Sequence, residues 1–189
     1  MEGIFAPYRG LSMSGRDYTG ELVVYVYGAD KDVTQPMIEA CISIVEKKYK
    51  LESDLSKTDV AIAPLLHRML SNEEINTPRI GTLVFHPSLL PRHRGVDAIK
   101  WAFELGETYT GVTWFWPDEG IDSGDICEQE VVAILQDEKP RAFYTRAIIP
   151  AGVRSLSRAL EGVATGQPRR VQQQLEHGTL EQRMKRRGY

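Results

Sequence analysis

A chain of 189 residues with 42% hydrophobic content is the size of one domain and can bury a single sizeable core. Its 23 basic and 26 acidic residues leave a formal net charge of −3, so no overall field recruits nucleic acid or an anionic membrane, and a small or neutral partner fits better. With no run near the ~18 apolar residues of a membrane helix, no apolar stretch in residues 1–20 and no disulfide framework for Cys41 and Cys127, a cytoplasmic protein with inert buried thiols is expected.

Residues 1–20 carry four glycines (Gly3, Gly10, Gly15, Gly20) and little periodicity, the pattern of a loop or arm. Residues 21–27 are dense in β-branched and aromatic side chains and stop at Gly28, which predicts a buried strand. Thr34 is placed to cap a helix that tolerates Pro36 early and carries Met37, Cys41, Ile44 and Val45 at helical spacing to about Leu51. A second apolar strand at 59–64 completes the strand, helix, strand order of a right-handed parallel crossover. Ser71-Asn72-Glu73-Glu74 then opens a short helix, with Pro78 closing it.

The apolar run 83–85 ends at His86 and then at Pro87, which cannot continue a central ladder. His86 is therefore expected at a strand tip, held by a rigid element yet open to the crevice where open α/β sheets place ligands. Residues 96–105 put Ile99, Ala102 and Phe103 on one helical face, Asp97 and Lys100 toward water, and Gly106 at the end. A second apolar run, 112–116, leads into the turn Asp118-Glu119-Gly120-Ile121-Asp122-Ser123-Gly124-Asp125. If the two strands are adjacent and parallel, Asp122 reaches His86. Residues 125–135 read as an edge strand, and 141–165 as a helix broken and restarted at Pro150, with Arg154 and Arg158 on its wet face. The expected organisation is a loop or arm at 1–20, an α/β domain at 21–170, and a polar, basic tail at 171–189, solvated or weakly helical.

His86-Pro87-Ser88-Leu89-Leu90-Pro91 followed by Arg94-Gly95, with the acidic turn downstream, resembles the folate-dependent formyltransferases over roughly residues 59–170. Within that family the motif through Arg92-His93-Arg94-Gly95, and Phe115-Trp116 before the turn, are most similar to the hydrolase domain of 10-formyltetrahydrofolate dehydrogenases. The resemblance implies a single-domain α/β protein with a mostly parallel open sheet of Rossmann-like type, its N-terminal half shortened. It also implies formyl transfer from, or hydrolysis of, 10-formyltetrahydrofolate without a metal, with His86 as general acid or base assisted by Asp122. By position from the His-Pro motif, Arg68, Met69 and Leu70 match folate-contacting residues, and Val84, Glu119, Gly120 and Ile121 complete the implied binding set. On pattern alone, Leu66, Met69 and Leu70 read as ordinary core at helix spacing.

One departure carries chemistry. The family usually has Asn two residues before the histidine, its amide donating to the formyl oxygen, whereas Val84 cannot donate. Losing one oxyanion donor typically costs on the order of 10² to 10³ in rate. The hydrolase domain is also apolar there, so water or a small amine is the expected acceptor; the alternative is a folate-binding regulatory module with degenerate catalysis. A nucleotide acceptor is disfavoured because residues 1–58 hold no Gly-x-Gly or Walker-like run, and the acidic balance disfavours RNA. Arg92, His93 and Arg94 are expected either to grip a folate or acceptor carboxylate, or to form a loop that packs and orients the strand end. A sheet edge left bare by the shortened half favours a homodimer or a covering arm from residues 1–20.

Overall fold

Strand β1 (Val23–Val26) buries Val24 and Val26 and leaves Val23 and Tyr25 half-buried, the two-residue period of a strand with one closely packed face. The computed structural model in which this is seen describes residues 21–28, 35–66 and 68–184, so the predicted arm at 1–20 and the cap at Thr34 lie outside the described residues. Helix α1 (Pro36–Lys48) starts from Gln35, which makes no side-chain cap, and ends before Leu51 because the chain turns into strand β2 (Lys50–Leu51). There follow β3 (Val60–Ala63), α2 (Asn72–Asn76), β4 (Gly81–His86), β5 (Arg94–Gly95), α3 (Ala98–Glu104), β6 (Tyr109–Phe115), β7 (Ile126–Ala133), α4 (Pro140–Phe143), α5 (Ile149–Ala164) and β8 (Leu180–Glu181).

The main sheet has the order β2-β1-β3-β4-β6-β7. It is parallel from β2 to β4 and antiparallel across β4, β6 and β7, the mostly parallel α/β arrangement expected. The edge strand read at 125–135 is β7, at one end of the sheet. Val24, Val60, Ile62, Leu83 and Phe85 point to one face, where Met37, Cys41 and Val45 of α1 and Ala151, Leu156 and Leu160 of α5 close the core. Burying each such aliphatic or aromatic side chain is worth roughly 1.5–3 kcal/mol, which makes this face the main source of stability. Gly152 lets α5 approach closely: a Cβ there would lie 2.5 Å from Met37 Cε and 2.8 Å from Phe85 Cε2.

The opposite face is thinner. Tyr27, Ala61 and Ala63 form a small cluster with Tyr25, Leu55, Leu66, Leu70 and Val84 packed against it. Helix α2 sits beside it, its start fixed by a capping box between Ser71 and Glu74 and its end by Thr82 Oγ1, which donates to the Glu74 and Ile75 carbonyls at 3.2 Å each.

Two expectations are corrected. The C-terminal helix is continuous through Pro150: a π turn at Tyr144–Ile148, in which the Ile149 amide donates to the Tyr144 carbonyl, absorbs the ring that lacks an N–H. The stretch 171–184 is largely exposed, as expected of a solvated tail, but it is anchored to the domain rather than free or helical. Val171 exchanges backbone hydrogen bonds with Ile126, Gln173 is 6% exposed, and β8 pairs in parallel with β5. Arg154 and Arg158 are on the outer face as expected, where they pair with Glu130 and Glu128 of β7. Asp97 and Lys100 pair with each other. Both cysteines are free and buried, and burial pushes their thiols up, Cys127 to about 12. Among the described residues no helix is long and apolar enough to cross a membrane.

Candidate active site

Parallel pairing brings the C-terminal ends of β1, β3 and β4 to one edge: the Tyr27 amide bonds the Ile62 carbonyl, and Ala63 stands opposite Val84. His86 ends β4 there, but it is buried at 6% exposure rather than open to a crevice as expected, because the loop that follows it and Asp122 close over the ring. Proline stops the ladder and the chain enters a loop tied down from several sides. Thr113 Oγ1 donates to the Ser88 carbonyl at 2.7 Å, Ser88 Oγ to the Arg92 carbonyl at 2.6 Å, and Gln129 Nε2 to the Leu90 carbonyl at 2.8 Å.

Two contacts set the state of His86. Its Nε2 lies 2.7 Å from the His93 carbonyl oxygen, which can only accept, so Nε2 carries a hydrogen. Its Nδ1 lies 3.4 Å from Asp122 Oδ2. The same carboxylate oxygen accepts the Gly95 amide hydrogen at 2.7 Å, so Asp122 joins the acidic turn to the Arg94–Gly95 strand. Burial pushes the pKa of His86 below the usual histidine value, while the Asp122 charge and the His93 carbonyl pull it back up. The neutral ring thus presents a bare Nδ1, and a proton arriving there meets a carboxylate.

Asp122 comes to His86 by a route other than the one expected. β4 and β6 are adjacent but antiparallel, with His86 opposite Thr113 and Phe115 opposite Val84. The acidic turn leaves β6 beside the middle of β4, and Asp122, at a left-handed φ of 47°, turns its carboxylate onto the histidine.

The remaining predicted site residues divide. Leu70 and Val84 meet in the small apolar cluster, and Met69 beside them is 62% exposed. Val84 is flanked across the sheet by Ala63 and Phe115, a row with no side-chain hydrogen-bond donor. Arg68 is held in a two-pronged pair by Glu74, the shared hydrogen bonds keeping that carboxyl down at about 2. Glu119, Gly120 and Ile121 lie on the exposed rim of the turn, shaped by Asp118, whose carboxylate accepts from the Gly120 amide at 3.0 Å and from Ser123 Oγ at 2.7 Å. Of the basic loop, Arg92 pairs with Glu107, and His93 lies between Glu107 and Glu181 at 3.0 Å each, so these two orient the strand end. Only Arg94 has an unpartnered side chain, its buried Nε without a hydrogen bond among the described residues.

Sequence reading missed Gln173, Thr179 and Glu181. Gln173 Nε2 donates to the carbonyls of Asp122 (3.0 Å) and Gly124 (2.7 Å), and the His93 amide donates to Thr179 Oγ1 at 2.9 Å. Polar residues without apolar periodicity gave no signal that they were packed. Among the described residues no group of three or more His, Cys, Asp or Glu side chains is arranged to hold a metal ion.

Residues 11–160 match the family model described as formyl transferase, a longer span than the motifs alone indicate. The cytosolic 10-formyltetrahydrofolate dehydrogenase of Xenopus tropicalis is 34% identical over 148 residues, 78% of this chain but 16% of that protein. The methionyl-tRNA formyltransferase of Pelotomaculum thermopropionicum is 38% identical over 107 residues, 57% of this chain and 34% of that one. Among solved structures, HypX from Aquifex aeolicus in complex with tetrahydrofolic acid superposes with a TM-score of 0.72 at 20% identity, over 86% of this chain and 30% of that chain. The chain thus spans about a sixth of the dehydrogenase it matches, and on the strength of the family match it belongs to the formyl transferase family.

Proposed function

We propose that this chain removes the formyl group of 10-formyltetrahydrofolate, with water or a small amine as acceptor, in the cytoplasm. The observation that carries the reading is the meeting of His86 Nδ1 and Asp122 at the C-terminal edge of the parallel strands, in a chain of the formyl transferase family. A formamide resists attack because its nitrogen donates into the carbonyl, so the site must manage a proton and stabilise an oxyanion. Water adds to the formyl carbon as its proton passes to Nδ1 of His86, and Asp122 stabilises the imidazolium. The ring then returns a proton to the leaving nitrogen as the C–N bond breaks, giving formate and tetrahydrofolate. An amine acceptor follows the same proton path and leaves as the formamide.

Leu70 and Val84 of the small apolar cluster, with the exposed Met69 beside them, would hold the folate ring, because an apolar surface suits a flat heterocycle. Arg94 is the cation left to meet a carboxylate, since Glu74 and Glu107 occupy Arg68 and Arg92. The donor-free row Ala63, Val84, Phe115 favours hydrolysis over demanding transfer. It also motivates a second reading, a folate-binding regulatory module with weak chemistry. Purified protein given 10-formyltetrahydrofolate, with and without amines, separates the two: release of tetrahydrofolate abolished by His86→Ala supports the enzyme. Tight folate binding by calorimetry with turnover indifferent to that substitution supports the module.

A further inference from the structure

The loop that follows His86 at the end of β4 and the acidic turn that carries Asp122 are tied together by a single later segment. At one end, Val171 pairs with Ile126 at the start of β7, and Gln173, 6% exposed, donates both amide hydrogens into the acidic turn, to the carbonyls of Asp122 and Gly124. At the other end, the Thr179 amide donates to the Pro91 carbonyl, Thr179 Oγ1 accepts the His93 amide, and the Thr179 carbonyl accepts the Arg94 amide. Glu181 then reaches His93 Nδ1 at 3.0 Å while Glu107, itself paired with Arg92, reaches Nε2 at 3.0 Å. His93 is 1% exposed at a left-handed φ of 53°, a conformation that persists in a non-glycine residue only where the surroundings hold it. Its carbonyl is the one that takes the Nε2 hydrogen of His86.

We propose that residues 171–181 form a strap that positions the catalytic pair, Glu181 setting the tautomer and pose of His86 through His93, and Gln173 setting the carboxylate of Asp122 through its backbone. The inference rests on His86 and Asp122 being the working groups, but its structural content is separable from turnover. Neither Gln173 nor Glu181 touches His86, so both act as positioning residues.

The test uses the full chain with ¹⁵N-labelled histidine and reads the ring nitrogens of His86 across pH. The wild type is expected to show one tautomer, hydrogen on Nε2 and a bare Nδ1. Glu181→Ala is expected to replace it with an exchanging mixture, and Glu181→Gln, which keeps an oxygen acceptor, to restore most of the signature. Gln173→Leu frees the acidic turn, so the titration midpoint of His86 falls as the nearby carboxylate that raised it is lost. Release of tetrahydrofolate should drop ~10-fold or more in kcat in Glu181→Ala and Gln173→Leu with KM little changed, the usual effect of removing an outer support. Circular dichroism identifies a variant that has not folded, in which case Thr179→Val, which removes only the acceptor of the His93 amide, replaces Glu181→Ala. Folded variants with wild-type His86 nitrogen signals and midpoint overturn the strap. Absence of formyl release from the wild type overturns the enzymatic reading while the nitrogen signals still decide the strap.

Discussion

Asp122 reaches His86 across a pair of antiparallel strands. Its Oδ2 stands 3.4 Å from Nδ1 while accepting the Gly95 amide at 2.7 Å, so the carboxylate is aimed by a backbone donor rather than left to find the ring. With Nε2 committed to the His93 carbonyl, Nδ1 is the only ring atom free to exchange a proton.

Asp122→Asn should therefore cost ~10²-fold or more in kcat, within the range of losing assisted acid and base catalysis. The amide oxygen can still accept from Gly95, so the fold should survive. The negative charge that raised the pKa of His86 disappears, and the acid limb of the pH–rate profile should move to lower pH. Tetrahydrofolate release followed across pH measures both effects, and an unmoved acid limb would count against Asp122 as the partner of the titrating group.

Folding stability should carry the same signature. His86 is held below its unfolded value of ~6.5, burial being the largest cause. Between that value and the lower folded one, the unfolded chain binds a proton that the folded chain refuses. The His86 contribution to stability is thus fully present above about pH 6.5 and is lost as pH falls toward the folded value. Urea unfolding at several pH values should show stability declining on the acid side, with a shallower decline in His86→Asn.

How much of this was legible depended on what each segment advertises. His86 at a strand tip followed from an apolar run stopped by Pro87, and the early strand, helix, strand order from its periodicities. The direction of β6 was not legible, because a buried strand reads the same whether its neighbour is parallel or antiparallel. Pro150 looked like a break because the sequence does not announce the π turn that absorbs it. Gln173, Thr179 and Glu181 looked like tail because a polar residue that serves backbone groups has the composition of a solvated one. Likewise, Arg92 and His93 could be separated from Arg94 only once Glu107 and Glu181 were in place beside them.

Gly95→Ala probes the crossing of the two loops. Gly95 has a φ of 91°, and an added Cβ would lie 2.8 Å from the Glu181 carbonyl oxygen. The strained backbone alone costs about 1–3 kcal/mol. Relief requires moving either β8 or the amide that holds Asp122, so thermal stability and kcat should fall together. A variant that lost stability but kept full turnover would separate the strand pairing from the chemistry.

Val84→Asn tests why the site lacks the family's usual amide. Val84 is partly buried against the small cluster with Ala63 on one side and Phe115 on the other, and an amide there, partly desolvated and without a partner, costs about 1 kcal/mol. The substituted chain should therefore be less stable without ligand. Standing two residues before His86 on the same face of β4, the new amide can donate to a formyl oxygen that the imidazole addresses. Since one oxyanion donor is worth on the order of 10²–10³ in rate, transfer to an amine should rise relative to hydrolysis even as the melting temperature drops. Product analysis with formate and formamide measured side by side gives that ratio. A ratio unchanged by the substitution would mean that the formyl oxygen does not lie over Val84, and that the apolar row Ala63, Val84, Phe115 serves packing rather than the choice of acceptor.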